Sequence, residues 1–466
     1  MEESGFRVIV VRRYVKMYSF LIRHVFYPAW EMASGRKTLH YLREFENNQW
    51  KNAEDIKKIQ NGKLNKMLSH AYDNVPYYRE QFHRLRIRPE DIHDAADLAR
   101  IPVINKDIIR DNFEEFTAKN SDQIPHMMYP TGGTTGRPFH FLKDKDTFDH
   151  QNAAAFRAWK WAGLNIGIRY MLIWGHSFDM RNEKKIKTRI NRLLTDNQIF
   201  FPCFKLTDAI FEKYAKILLG KKPKFLMGYP SPIQLFGRFL KSRNITYNPK
   251  GIITTAEKLY PHQREELERQ FGCKVFDDYG SRETSVRASE CDKHEGYHIA
   301  SENGIIEIID NGLPAHDGQI GKVIITDLNN YSMPLIRYEN GDMAVASSRQ
   351  CSCGRGLPLL KHIIGRESDI FVTPDGKYIP GEVFVHAFLD FEGDQYQVVQ
   401  KRIDEIVIKI VRGKHFDEKA MGTIKTELEK WLGDKIRINI DYVDRIPVPE
   451  SGKRRYVISE VPMQFR

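Results

Sequence analysis

Gly251-Ile-Ile-Thr-Thr-Ala-Glu-Lys-Leu-Tyr-Pro-His-Gln-Arg-Glu-Glu-Leu-Glu-Arg-Gln-Phe-Gly-Cys-Lys-Val-Phe-Asp-Asp-Tyr-Gly-Ser-Arg-Glu283 is the stretch that decides the fold. It opens on an apolar run, Gly251 to Ala256, that reads as a buried strand. A charged helix follows from Pro261 to Gln270, and Gly272 closes it. Lys274-Val-Phe-Asp-Asp-Tyr279 is then a second buried strand. Strand, helix and strand at this spacing predict α/β architecture. The polar end, Asp278-Tyr-Gly-Ser-Arg-Glu283, follows a strand, and open α/β sheets bind ligands beyond the carboxyl ends of their strands.

Working outward, Phe225-Leu-Met-Gly-Tyr-Pro230 reads as a further buried strand. So do Gly304-Ile-Ile-Glu-Ile-Ile309 and Lys322-Val-Ile-Ile-Thr326. Residues 50 to 85 read as helical, with Leu64, Met67, Leu68 and Ala71 on one face. Asn74-Val75-Pro76 breaks that helix. Ile101-Pro-Val-Ile-Asn-Lys-Asp107 is a loop leading into another helix. The last hundred or so residues change texture. Strands Tyr396–Gln400, Glu405–Val411 and Ile436–Asp441 and a helix Phe416–Leu432 form a small α+β unit with its own core. The expected division is a basic N-terminal segment 1–45, a large domain 46–365 and a small, mobile C-terminal domain 366–466.

At 466 residues the chain exceeds one typical core. Its 41% hydrophobic and 29% charged residues, with a mean hydropathy of −0.51, are those of a globular domain. The net charge of +11 fits an anionic membrane surface or an anionic substrate such as a nucleotide. Nucleic acid is the weakest reading, because no binding motif and no dense Lys/Arg block occurs. An odd five cysteines in a long chain fit a reducing cytoplasm better than a disulfide framework. In Val8–Trp30, Arg12, Arg13, Lys16, Arg23 and His24 interrupt the apolar residues, so no transmembrane span is expected. The favoured reading is a helix docked on the body of the protein. The sharper one is a basic amphipathic helix lying on the inner face of a membrane.

Five segments carry chemistry. Thr131-Gly132-Gly133-Thr134-Thr135-Gly136 offers close backbone approach and hydroxyl donors to an anion, but no Gly-Lys-Ser/Thr ends it as in a Walker A loop. In Asp278–Glu283, Tyr279 offers a flat face for a purine and Glu283 a hard oxygen for Mg²⁺. In Arg337-Tyr-Glu-Asn-Gly-Asp342, Asp342 could accept both ribose hydroxyls, although the segment alone is indistinguishable from a hairpin turn. In Gly365-Arg-Glu-Ser-Asp369, Arg366 could reach a nucleotide while Ser368 and Asp369 form a hinge. Pro449-Glu-Ser-Gly-Lys453 lies near the end of the chain.

In this order the segments resemble the adenylate-forming superfamily of acyl- and aryl-CoA ligases, from roughly residue 45 to the C-terminus. The closest likeness is to the phenylacetate-CoA ligase group and its capsular polysaccharide, CapK-type, branch. That branch's pattern is carried by Leu68-Ser-His-Ala71, Asn74-Val-Pro-Tyr-Tyr78, Ile101–Lys106, Thr131–Gly136, Tyr279–Glu283, Ile336-Arg-Tyr338 and Cys351-Ser-Cys-Gly-Arg355. The resemblance implies an AMP-forming acid–thiol ligase, in which a carboxylate joins AMP and the acyl group passes to coenzyme A. It implies that Thr131 to Gly136 hold the ATP phosphates, that Ala256 and Glu257 flank adenine and that Tyr279 stacks on it. Asp342 would bind ribose, Arg366 would follow at the domain junction, and Glu283 would link to Mg²⁺. Lys453, on the small domain, would contact the carboxylate and α-phosphate during adenylation. The acyl pocket would draw on Tyr229 and Pro230. Three positions depart from the pattern: Phe139 stands where many members have a Lys, Arg282 replaces a Thr, and Ser368 replaces the hinge acid, with Asp369 next to it. Three rivals stay open: an amine acceptor, a sugar acceptor in surface polysaccharide assembly, and a silent nucleotide-binding relative. The sequence does not speak to oligomeric state.

Cys291, His298, Cys351 and Cys353 offer three thiolates and one imidazole, a set suited to structural Zn²⁺. His294 is a rival fourth ligand, and four unmetalled side chains are the alternative. Cys203 and Cys273 read as small buried hydrophobes.

Overall fold

The computed structural model describes residues 17–131, 139–174, 195–203, 206–366 and 369–461, the last with short interruptions at 376–377, 381–383, 385–386, 389–394, 414–415, 417, 434 and 448–454. Among these residues, one mixed sheet of twelve strands organises positions 170 to 366. Strands Gln198–Pro202, Tyr170–Trp174, Phe225–Gly228, Gly251–Thr255 and Val275–Gly280 lie side by side in that order, all parallel. Parallel neighbours need long crossovers, and the helices Asp208–Lys221, Pro230–Ser242 and Pro261–Phe271 supply them. Phe225, Leu226, Ile252 and Ile253 are buried, as expected of parallel strands covered on both faces.

Val275–Gly280 is the turning point. Its other neighbour, Arg287–Glu290, runs antiparallel to it with Tyr279 opposite Ala288. Antiparallel pairing then continues through Tyr297–Ile299, Leu359–Arg366, Tyr338–Ala346, Ile320–Asp327, Gly304–Asp310 and Leu313–Pro314. The segment expected as a possible hairpin turn around Asp342 is therefore strand, and Tyr279 lies near the end of its strand, as the reading of Lys274–Tyr279 has it.

The helical N-terminal part covers one flank. Asn52 caps the helix Ala53–Asn74 by accepting the Asp55 N–H at 2.8 Å, and Leu64, Met67, Leu68 and Ala71 form its buried face as the sequence predicted. Val75 leaves the helical conformation, and Pro76 opens the next helix, Pro76–Leu85. Residues 17–34 are helical and docked through Ile22, Tyr27 and Glu31, while Met17, Phe20, Val25 and Met32 stay exposed. Positions 1–16, part of the basic segment, lie outside the described residues. No helix among the described residues is long and apolar enough to cross a membrane.

The C-terminal part has its own sheet, ordered Arg437–Tyr442, Glu405–Val411, Gln395–Arg402 and Val457–Ser459. Ile406, Ile408 and Ile410 alternate inward from the central strand and meet Met421, Ile424 and Leu428 of the helix Glu418–Leu432. Tyr260, which precedes the helix Pro261–Phe271 of the large sheet, packs into the same cluster.

Candidate active site

The carboxyl ends of the parallel strands share one edge, and among the described residues Tyr279, Glu283, Asp342 and Arg366 come together beside it. Asp342 and Arg366 are register partners on adjacent antiparallel strands. Asn340 and Asp342, two apart on one strand, project to the same face, and Gly341 between them takes φ +84°. The Tyr279 hydroxyl donates to Asp342 Oδ2 at 2.8 Å, and Asn340 Nδ2 donates to the same oxygen at 2.8 Å. Arg366 Nε lies 3.1 Å from Asp342 Oδ1, and its Nη1 donates to the Asn340 carbonyl at 3.0 Å. Burial, then the Asp342 charge, holds the Tyr279 phenol well above its ordinary range, so it stays a neutral donor. The Asp342 carboxylate likewise raises the Arg366 guanidinium, a permanent cation that Glu283 and Asp369 also face.

Glu283 is buried just past this strand. Its Oε1 lies 2.9 Å from Lys106 Nζ. Burial would raise the carboxyl, but the Lys106 ammonium, its hydrogen bond and the Arg366 charge outweigh it and hold Glu283 at about 2. A permanently ionised carboxylate with a cation beside it suits a phosphate-and-metal environment. Asn105 accepts the Asp107 and Ile108 N–H groups at 3.1 and 3.0 Å and so starts the short helix that places Lys106. Beneath the loop, Lys143 is fully buried and donates to Gln151 Oε1 at 2.7 Å and to the Arg282 carbonyl at 3.0 Å. Burial lowers its ammonium to about 8. Asp327 accepts the Ser285 N–H at 2.5 Å and the Ser285 hydroxyl at 2.9 Å. These buried polar bonds fix the backbone that presents Glu283.

Ala256 follows the strand Gly251–Thr255 at φ +68°, a left-handed conformation that costs an alanine free energy and recurs at ligand sites. Glu257 Oε2 lies 3.3 Å from the Ser231 N–H at the start of the helix Pro230–Ser242. Tyr229 and Pro230 are buried at the end of the neighbouring strand, with the Tyr229 ring 4.6 Å from Trp174.

The phosphate-loop residues Gly132, Gly133, Thr134, Thr135 and Gly136 lie outside the described residues, as do Ser368 and Lys453. The strands His126–Thr131 and Phe139–Asp144 that flank the loop pair antiparallel, with Thr131 opposite Phe139. Lys106 Nζ lies 6.0 Å from the Phe139 ring centre. Asp369 is held by two donors, the Arg366 N–H at 3.2 Å and Arg455 Nη2 at 2.7 Å.

Sequence reasoning named no role for Lys106, Asn340 or Arg455. Lys106 closes the Ile101–Lys106 motif, and Asn340 sits two residues before Asp342, so both carried a local signal. Arg455 carried none. Of the cysteine set, Cys291, His298, Cys351 and Cys353 converge, whereas His294 turns to Glu290 instead, with Nδ1 at 3.4 Å. Cys203 is buried and Cys273 half-buried, as expected of small apolar side chains.

Comparison with known proteins bears out the resemblance and the fold class. Residues 371–460 match the family model of the CapK C-terminal domain. The chain is 25% identical over 442 residues to Protein CapK of Staphylococcus aureus, spanning 91% of this chain and 94% of that protein. It is 22% identical over 436 residues to the phenylacetate-coenzyme A ligase of Thermus thermophilus, spanning 87% and 96%. A 2-hydroxyisobutyryl-CoA ligase solved in its postadenylation state superposes with a TM-score of 0.72 at 20% identity, over 89% of this chain and 92% of that one. The same ligase in its thioesterification state superposes with a TM-score of 0.60 at 20% identity, over 89% of this chain and 91% of that one.

Proposed function

We propose, from the premise that this chain belongs with the adenylate-forming acyl- and aryl-CoA ligases, that it activates a small carboxylic acid with ATP and transfers the acyl group to a thiol. In the first step a carboxylate oxygen attacks the α-phosphorus of ATP, giving an acyl-adenylate and pyrophosphate. In the second the coenzyme A thiol attacks the acyl carbon, loses its proton and releases AMP. The observation that carries this reading is the cluster of Tyr279, Asn340, Asp342 and Arg366 beside the Glu283–Lys106 pair, at the edge where the sheet changes from parallel to antiparallel.

Each residue has a physical task. Asp342 presents a carboxylate to the two ribose hydroxyls, and Arg366, Asn340 and Tyr279 fix its orientation. Tyr279 would lay its ring against adenine; it hydrogen-bonds Asp342, and Asp278 beside it pairs with Thr255, the residue before Ala256, which supports that reading. Thr131 to Gly136 would donate to the phosphates, and Lys106 would bring the cation that Phe139 does not supply. The donor set fits Mg²⁺, because that ion typically takes one or two protein carboxylates together with substrate phosphates and water, and Glu283 stays ionised. Bound there, Mg²⁺ would neutralise charge that builds on the phosphates. Positioning and electrostatics dominate in-line transfer at phosphorus, which matches a site rich in fixed charges. Division near residues 365 and 366, with Ser368 and Asp369 as hinge and Lys453 on the moving part, completes the scheme.

The match to a CapK C-terminal domain favours one second reading, an amine or sugar acceptor in surface polysaccharide assembly in place of coenzyme A. The five unpaired cysteines suit the cytoplasm. The exposed Met17, Phe20, Val25 and Met32, with Arg23 and His24 among them, support contact of the N-terminal segment with the inner face of a membrane. The deciding experiment is a panel of aryl, short-chain and hydroxy acids with purified protein, scored by pyrophosphate release with and without coenzyme A. Acid-dependent pyrophosphate release that coenzyme A accelerates supports the thiol acceptor. Release that is unaffected by coenzyme A favours the second reading, and no release with any acid removes the adenylating function.

A further inference from the structure

Two loops meet on the antiparallel half of the sheet, away from the nucleotide residues. One joins strands Arg287–Glu290 and Tyr297–Ile299, and the other joins Tyr338–Ala346 and Leu359–Arg366. Cys291 comes from the first loop and His298 from the strand that follows it. Cys351 and Cys353 come from the second. Their donor atoms all lie within 4.8 Å of one another. Cys291 Sγ is 3.7 Å from Cys351 Sγ, and Cys353 Sγ is 3.4 Å from His298 Nε2. A tetrahedral ion with Zn–S of about 2.3 Å and Zn–N of about 2.0–2.1 Å would set these edges at about 3.8 and about 3.6 Å.

The surroundings are built for a metal's ligands rather than for loose thiols. The Lys293 N–H points to Cys291 Sγ at 3.4 Å. The Arg355 guanidinium, two residues along the same loop, lies near the Cys353 sulfur. Three thiolates around a divalent ion carry one net negative charge, and that guanidinium answers it. The two loops are also tied directly, because Glu295 accepts the Ser352 N–H at 2.7 Å and its hydroxyl at 2.6 Å. Behind them Arg355 lies 4.8 Å from the Trp161 ring centre and 5.0 Å from that of Trp50. Gly356 approaches so closely that a Cβ there would meet the Lys51 carbonyl oxygen at 1.9 Å.

We propose that Cys291, His298, Cys351 and Cys353 form a closed Zn²⁺ site that holds the nucleotide-binding strands in register. Four protein ligands leave no open position, so the ion is structural. The loop carrying Cys351 and Cys353 closes the hairpin whose strands bear Asp342 and Arg366 as partners. The loop carrying Cys291 joins the two strands beyond Tyr279, since Ala288 pairs with Tyr279 and His298 with Leu359. One ion therefore pins Tyr279's neighbour strand to the Asp342–Arg366 hairpin at the end remote from the nucleotide. This positioning role rests on the ribose-site reading given above, whereas the metal site does not.

The test uses the full-length protein purified without chelators. Elemental analysis should find about one zinc per chain. Cobalt exchange should give the strong visible absorption of a tetrahedral thiolate site, and Cys353→Ser should lose most of the metal. Extraction of zinc should lower the melting temperature and weaken AMP binding measured by calorimetry, and added Zn²⁺ should restore both. Cys353→His, which keeps a zinc ligand, should retain metal where Cys353→Ser does not, so a folding failure of the serine variant leaves the proposal testable. A folded, metal-free protein that gains no thermal stability from Zn²⁺, or a Cys291–Cys351 disulfide found by mass spectrometry in place of metal, overturns the site. Unchanged AMP affinity after zinc removal overturns the positioning role. Failure of the zinc-loaded protein to bind AMP at all counts instead against the nucleotide reading.

Discussion

The guanidinium of Arg455 donates to the Asp369 carboxylate at 2.7 Å. The other Asp369 oxygen accepts the Arg366 N–H at 3.2 Å, so this carboxylate ties the end of the large sheet to the strand Val457–Ser459 of the small one. Both partners are about four-fifths buried. The pair sits where a hinge would have to move, and it holds the chain that follows Lys453. Arg455→Met keeps the bulk of the side chain and removes the charge. It should slow acyl-adenylate formation by roughly fivefold, the scale of one partly exposed ion pair. Thioester formation from supplied acyl-adenylate should change less. Single-turnover assays of each half-reaction make the comparison, and equal loss in both would deny the pair a role in setting the pose.

Asp342→Ala removes the acceptor on which Tyr279, Asn340 and Arg366 converge. Apparent ATP affinity should fall about tenfold to a hundredfold, the cost of losing one charged hydrogen-bond acceptor. Tyr279→Phe deletes one donor and keeps the ring, so it should cost less. Nucleotide titrations of both variants decide the order. Unchanged affinity in Asp342→Ala would refute the ribose assignment and, with it, the nucleotide map.

The Glu283 carboxyl gives the pH test. Its folded pKa of about 2 lies below the ordinary 4.5, so the folded state binds this proton more weakly than the unfolded state does. Its stabilising contribution is complete above about pH 4.5 and is lost as pH falls towards 2. Lys106→Met removes the main opposing charge and leaves burial, which raises the carboxyl. In that variant the Arg366 charge still opposes burial, so the Glu283 contribution to stability should change much less between pH 5 and 3 than in wild type. Urea midpoints taken across that range report it. Parallel slopes in the two proteins would mean that Lys106 does not control Glu283. The same substitution should also slow adenylation by on the order of a hundredfold, if Lys106 supplies the phosphate cation that Phe139 lacks.

What the sequence made legible is what local pattern encodes. Pro261–Phe271 ends at Gly272, which takes φ +61° and has the Cβ-free freedom for it. The buried strands around it show as apolar runs because both of their faces are covered. Asp342, Tyr279, Glu283 and Arg366 lie in short motifs, and the structure brings them to one edge. The pairings were not legible. Lys106 and Glu283 are distant in sequence, as are Asp369 and Arg455, and nothing local in either segment names its partner. The polar floor formed by Lys143, Ser285 and Asp327 escaped for the same reason: each residue alone reads as a surface polar group, and only the fold buries them together. Asp342 was readable as a turn because Asn340-Gly341 is turn chemistry. Pairing with Leu359–Arg366 overrides that local preference.

Lys453 offers the sharpest test of the whole scheme. It belongs to Pro449-Glu-Ser-Gly-Lys453, and Arg455, two residues later in the sequence, donates to Asp369. A cation at the α-phosphate can act only while the small part is closed in its adenylating pose. Under the proposed scheme, thioester formation would use a different pose, with this lysine remote from the reacting atoms. Lys453→Ala should therefore lose roughly two or more orders of magnitude in acyl-adenylate formation, the scale of one preorganised charged contact. Given preformed acyl-adenylate and coenzyme A, the same variant should keep most of its transfer rate. A merely structural lysine predicts a different result, with both half-reactions slowed together and a lower melting temperature. The position lies in a glycine-containing run of charged residues, so the melting temperature should barely move. Adenylation at nearly the wild-type rate in Lys453→Ala would place the chemistry elsewhere in the molecule.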